Sequence, residues 1–343
     1  MSDTTTSRAS GTEMYKTLFY ENQLLYTAEK QLVFMQLGQR NIKVPAGENA
    51  HAIVWTKYGN LSDRSAAESE TTATTAEAMS ATLVTGTVAT YAGAVKLNDI
   101  LMMEAKDDLK KVTYQRLGYQ AGLAIDTVVR DVVAPGGTKI FAGTTAAVCA
   151  GLWSTVPNTA TLSVTQLRKG LRTLLRNNAL PVGSSLTPQG EKGQATNRDG
   201  LWIAVISADQ LYDLQGDTTT GGWITSNQYA GSDKLFTGEV GKMYGTRFIM
   251  SGNPYVKGHG TIESTTVSSG ETHVTLLAGA DFFGVTKLQN LQTFWQDFGS
   301  AGTADPTHKV ASAAWKTAFG ARVLNASFGV SLYTAIGRAY TEA

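Results

Sequence analysis

The sequence predicts an α+β protein, and the order of three unlike segments carries that prediction. A Thr-, Ala- and Glu-rich stretch without Lys or Arg, residues 65–95, runs directly into a helical pattern over 98–133. A mixed helix-and-strand region follows, and the chain closes on a β-patterned end containing Trp315 and Phe328. Neither a polar reaching segment nor a solitary long helix buries a core of its own. Such parts suit a protein that spans its neighbours better than one that encloses a reaction.

Composition narrows the classes. At 343 residues the chain can bury a large core, and its length allows two domains. Charged residues make up 17%, against roughly 25% in ordinary soluble domains, so more of the surface is free to meet protein. The net charge of +1 provides no polybasic field, and any contact with double-stranded DNA is expected to be weak and local. Cys149 is the one cysteine, which excludes an intrachain disulfide and suits a small buried residue of a chain kept in a reducing cytoplasm. Residues 1–11 are polar and lack the apolar core of a signal peptide. The strongest apolar run, Leu201–Ile206, is too short to span a bilayer, so no membrane partner is expected.

Each element follows from a local pattern. Between residues 13 and 37, Leu18, Leu25, Leu32 and Met35 recur at near-helical spacing beside Tyr15, Phe19 and Tyr26, predicting a helical arm laid against a partner. His51–Tyr58 alternates as a strand, with Ala52 and Val54 on one face and Ile53 and Trp55 on the other, until Gly59-Asn60 ends it. Leu83–Val95 returns to a β pattern, so the two strands form a long hairpin around a polar tip carrying Glu68, Glu70 and Glu77. Its open edges need cover. Over 98–133, Leu101, Ala105, Leu109, Val112, Leu117, Ala121, Ala124, Val128 and Val132 predict one apolar stripe. Asp107 and Lys111 are spaced for an i,i+4 pair, and Pro135-Gly136-Gly137 stops the helix. Uninterrupted, it would run roughly 54 Å and need a sheet beneath it.

Farther on, Ser163-x-x-Gln166 and Ser207-x-x-Gln210 are capping boxes; the first opens a helix with Val164, Leu167, Leu171 and Leu174 inward. Residues 183–200 read as a Gly-rich surface loop. Arg247–Met250 and Val274–Leu277 are strands, and Trp315–Leu324 and Ser327–Thr334 close the chain, with Phe328, Val330 and Leu332 sharing a face.

Catalytic patterns do not emerge. His51, His259, His273 and His308 are scattered, with no metal-ligand spacing. Gly241-Lys242 fails as a phosphate loop, because Phe236 stands at its first glycine and Met243 at its Mg²⁺-binding hydroxyl. Ser327 lies in Asn325-Ala-Ser-Phe-Gly329, one residue short of a nucleophile elbow. The expectation is a protein without catalytic site, cofactor or metal. Arg168, Arg172 and Arg176 form a basic i,i+4,i+8 stripe beside Lys169. It is either a solvated helix face or a contact for an acidic partner, such as a neighbour's Glu68, Glu70 and Glu77, or for a phosphate.

Gly238–Ser251, followed by Gly252-Asn253-Pro254, resembles a segment of tailed-phage major capsid proteins, in which a glycine-spaced turn leads into a strand ending in a Ser-Gly-Asn-Pro-like turn. Ala313–Asn325 resembles their C-terminal segment, especially in the subfamily typified by coliphage N-four; Lys57-Tyr58-Gly59 and Leu117-Gly118 to Asp126 fit that subfamily too. The resemblance extends from about residue 42 onward and rests on the order of the segments.

It implies a Hong Kong 97-like capsid fold: an N-terminal arm over 1–40, an extended loop over 41–97, a peripheral domain from 98–142 plus 297–343 with its spine helix at 98–133, and an α/β axial domain over 143–296. The spine's missing partner would be the C-terminal sheet. The implied function is an icosahedral head shell around double-stranded DNA, assembled in the host cytoplasm and retained in the virion. Its partners would be further copies in hexameric and pentameric capsomers, with portal, scaffolding and decoration proteins. The rivals are an encapsulin-like cargo shell, which shares the fold, and a phage tail or surface protein. An α/β enzyme built from residue 143 onward would need a cleft of convergent polar groups, which the sequence does not offer. A Lys–Asn cross-link, made by some relatives of this fold, is the one chemistry left open, with Lys57 and Lys96 bordering the extended loop.

Overall fold

A computed structural model describes residues 33–40, 52–58, 61, 76–143, 156, 160–182, 202–217, 223–225, 238–257, 272–300 and 305–336. The helical arm expected before Val33, the hairpin tip with Glu68 and Glu70, and the 183–200 loop lie outside these residues.

The first of two large sheets has the order β1-β12-β13-β4. Its strands are β1 (Gln39–Arg40), β4 (Ala89–Asn98), β12 (Phe283–Gln296) and β13 (Val310–Val323). Along β13 the odd positions Ala311, Ala313, Trp315, Thr317 and Phe319 are buried, the period-2 pattern of a face packed against another layer. That layer is the spine helix α3 (Leu109–Val133). Tyr114, Leu117 and Ala121 of α3 pack on Ala313 and Trp315, and the Trp315 Nε1–H donates to Gln120 Oε1 at 3.2 Å. Gly93 lies opposite Trp315 in the ladder. A Cβ there would come within 2.6 Å of the indole nitrogen, so the missing side chain makes room for the ring.

The second sheet has the order β5-β14-β11-β6-β9-β8-β7, with β10 also paired to β11. Its strands are β5 (Thr138–Phe141), β6 (Trp202–Ile206), β7 (Ile224–Thr225), β8 (Glu239–Met243), β9 (Thr246–Met250), β10 (Tyr255–Lys257), β11 (Thr272–Ala278) and β14 (Gly329–Ala335). β6, β11 and β14 are buried at every position, which requires cover on both faces. Helix α4 (Val164–Arg176) supplies one cover, packing Val164, Leu167, Leu171 and Leu174 on Ala204, Ile206, Leu277 and Leu332. The spine supplies the other, where Ile125, Val129 and Val133 meet Val205, Leu276 and Ala278. Ser207 and Gln210 form the expected capping box on α5 (Ala208–Gly216). Ser163 accepts from the Gln166 amide at the head of α4, but Gln166 Oε1 finds no partner among the described residues, so only half of that box is present.

The hairpin pairs β2 (Ala52–Tyr58) with β3 (Ala81–Thr87), Tyr58 facing Ala81 across the polar tip. Ile53 and Trp55 are buried, with Val84, Val88 and Leu324 against them, while Val54 is exposed, as the alternation predicts. The second expected strand divides at Val88: β3 stays in the hairpin and β4 joins the first sheet.

Two expectations about the spine are corrected. The 98–133 helix is broken into α2 (Asp99–Glu104) and α3, because Ala105 takes an extended backbone (φ −70°, ψ 132°). Asp108 then recaps the chain by accepting from the Lys111 amide at 3.2 Å. Asp107 falls in the break, so the Asp107–Lys111 helical pair does not form, and the spine shortens to roughly 37 Å. The buried stripe also has another phase. It runs through Tyr114, Leu117, Gly118, Ala121, Ile125, Val129 and Val133, with Leu101 and Val112 exposed. Tyr, Gly and Asp positions belong to the true stripe, and a count of aliphatic residues passes over them.

Candidate assembly surfaces

Four of the predicted contact residues are described: Arg168, Arg172, Arg176 and Glu77. Arg168, Arg172 and Arg176 are exposed on α4, on the side away from the core. With Leu171, Leu175 and Tyr244 they line an open groove of about 610 Å³. The Arg168 guanidinium lies 5.8 Å from the centre of the Tyr244 ring, within cation–π range. Glu77 is exposed just ahead of β3, with Met79 beyond it at 65% exposure; Glu68 and Glu70 are outside the described residues.

The structure adds an anchor that pattern reading did not single out. Asp126 is buried on α3, and its Oδ1 accepts from the Val33 and Phe34 amides, both at 2.8 Å. Those amides open α1 (Phe34–Leu37), which has no side-chain cap of its own, so the spine caps the arm's helix from outside. Phe34 is buried among Ile125, Val129 and Phe283, and β1 then pairs with Gly284 and Val285. Nearby, Arg130 Nη1 donates to Asn253 Oδ1 and, at 3.2 Å, to the Pro254 carbonyl. Asn253 Nδ2 donates to Thr127 Oγ1 at 2.9 Å. The Ser-Gly-Asn-Pro turn is thereby tied to the spine. Burial pushes the Asp126 carboxyl above its ordinary range, against the opposing pull of the two amides, Asn253 and Arg130.

The remaining polar groups are structural in their contacts. His273 is buried on β11, and its Nδ1 lies 2.8 Å from Ser207 Oγ. That hydroxyl is engaged by the Gln210 amide, while Gln210 Nε2 donates to Thr334 Oγ1, so the pair braces a helix cap inside the core. Gly241 and Lys242 lie within β8, and Ser327 sits in the 3-10 turn 326–328. Among the described residues no three His, Cys, Asp or Glu side chains are grouped to hold a metal.

A spine helix laid across a C-terminal sheet, a hairpin beside it and a doubly covered second sheet invite comparison with known shells. The family described as phage capsid protein matches residues 67–299. The chain belongs to that family. The phage capsid protein is similar in structure to the capsid of Ralstonia phage GP4, at 15% identity and a TM-score of 0.64, over 90% of this chain and 92% of that one. It is likewise similar to the Cyanophage Pam1 capsid (12% identity, TM-score 0.58, 88% and 89% covered) and to that of Cyanophage P-SCSP1u (15%, 0.57, 89% and 88%). The fold is the Hong Kong 97-like capsid fold expected from the resemblance. No curated protein matches the chain.

Proposed function

We propose that this phage capsid protein is the major subunit of an icosahedral head shell enclosing double-stranded DNA, arranged in pentameric and hexameric capsomers. The family match over residues 67–299 carries this reading. We place it in the subfamily typified by coliphage N-four, on the motifs at Lys57–Gly59, Leu117–Asp126, Gly238–Pro254 and Ala313–Asn325. Residues 1–40 would be its arm, 41–97 its extended loop, 98–142 plus 297–343 its peripheral domain and 143–296 its axial domain. Strand pairing would lend β12 to the peripheral sheet and β14 to the axial one. Portal, scaffolding and decoration proteins would be its other partners, and packaged DNA would touch it weakly. It would act through packing alone, with no reaction of its own.

Sedimentation and negative-stain microscopy test the reading. The purified protein, with and without co-expressed scaffold, should form capsomers or closed shells at micromolar concentration, since closure needs repeated symmetric contacts. A stable 36.5 kDa monomer under every condition would refute it.

A further inference from the structure

The groove on α4 has an apolar floor and a basic rim. Leu175 is 63% exposed and Tyr244 43%, although both sit beside the packed helix that covers the second sheet. Residues 132–190 contain Lys139, Arg168, Lys169, Arg172 and Arg176 and no Asp or Glu; residues 65–95 contain Glu68, Glu70 and Glu77 and no Lys or Arg. The same chain therefore holds a purely basic and a purely acidic segment.

Tyr244 is held in the groove wall by an uncommon backbone. It occupies a two-residue turn between β8 and β9, with Met243 opposite Thr246, and both turn residues have positive φ, 49° at Tyr244 and 70° at Gly245. Asn-Gly is the favoured pair for such a turn, and a bulky aromatic is rarely placed there. The result is an aromatic ring set against Arg168 and turned toward the open groove.

We propose that this groove receives the acidic hairpin segment of a second copy, residues 68–79, with its glutamates on the arginine stripe and Met79 on Leu175 and Tyr244. This rests on the shell reading and names the contact within it. Charge complementarity supports the fit: a segment without Lys or Arg meets a helix, Val164–Arg176, without Asp or Glu. Double-stranded DNA matches the charge, but its outer face is phosphate and offers the exposed leucine and tyrosine little apolar surface. A second copy supplies both.

Charge reversal tests the contact in the full chain. Arg168→Glu/Arg172→Glu/Arg176→Glu should lower the sedimenting particle fraction at least tenfold, as should Glu68→Lys/Glu70→Lys/Glu77→Lys. Combining the two sets in one chain should return it to within about twofold of wild type. The four described positions, Arg168, Arg172, Arg176 and Glu77, are exposed, and circular dichroism should remain native. Tyr244→Asn, which suits the turn better, should melt no lower than wild type while weakening assembly. Wild-type shells that tolerate both reversals would overturn the groove contact and leave the shell reading intact. An arginine reversal that is not rescued, or one that assembles normally but loses packaged DNA, would overturn the choice of a second copy. A wild-type chain that stays monomeric would instead refute the shell reading.

Discussion

Trp315→Ala should destabilise the isolated subunit by about 3–5 kcal/mol, the range for emptying a buried aromatic site. The indole is 3% exposed and fills the space between β13 and the first turns of the spine, where Tyr114, Leu117 and Ala121 close over it. The void cannot collapse easily, because Gly93 on the neighbouring strand offers no side chain to move in. Trp315→Phe keeps most of the apolar area and gives up only the bond to Gln120, so its loss should be nearer 1–2 kcal/mol. Denaturant unfolding of dissociated subunits measures both. A loss below 1 kcal/mol for the alanine variant would mean that the spine is not held by this residue.

Asp126→Ala should release the arm. It strips the acceptor from two backbone amides, and an unmade bond at a buried donor costs about 1–3 kcal/mol. A net loss of about 2–4 kcal/mol is expected, with faster protease cleavage near residues 33–40. Asp126→Asn retains an oxygen for both amides and should keep the arm docked. The pH dependence has a definite sign. Because burial raises the Asp126 pKa in the folded state, protonation favours folding; that contribution is complete below the unfolded carboxyl pKa and is lost as pH rises through the folded one. The asparagine variant carries no such loss, so its melting temperature relative to wild type should rise between about pH 4 and pH 7. A flat difference across that range would show that the carboxylate is already compensated by its neighbours.

Much of the fold was legible because it rests on periodicity. The apolar run ending at Ile206 becomes β6, buried at every position, and alternation along His51–Tyr58 separates Ile53 and Trp55 from Val54, the first pair being the one the structure buries. The spine was misread where periodicity is carried by residues that do not look apolar. Tyr114, Gly118 and Asp126 occupy its buried face, and Asp108 looks like an ordinary surface acid until the chain breaks just before it. The assembly surfaces were partly legible. The arginine stripe is visible as a spacing on one helix, whereas Tyr244 joins it only through a turn remote in sequence. Asp126 meets Val33 across ninety-three residues, and no local pattern encodes that.

The spine has a mechanical consequence. Its first half rests on the first sheet through Tyr114, Leu117 and Ala121, and its second half, through Ile125, Val129 and Val133, packs in a cluster that joins Phe283 and Phe319 of that sheet to Val205 and Leu276 of the other. β13 and β14, joined through the 3-10 turn 326–328, link the same two sheets covalently. Helix and strand connection thus act as two parallel struts, leaving the sheets little freedom to pivot against each other. A shell built from this subunit must therefore take up changes of curvature between subunits, while the two sheets and their spine tilt together as one rigid tile.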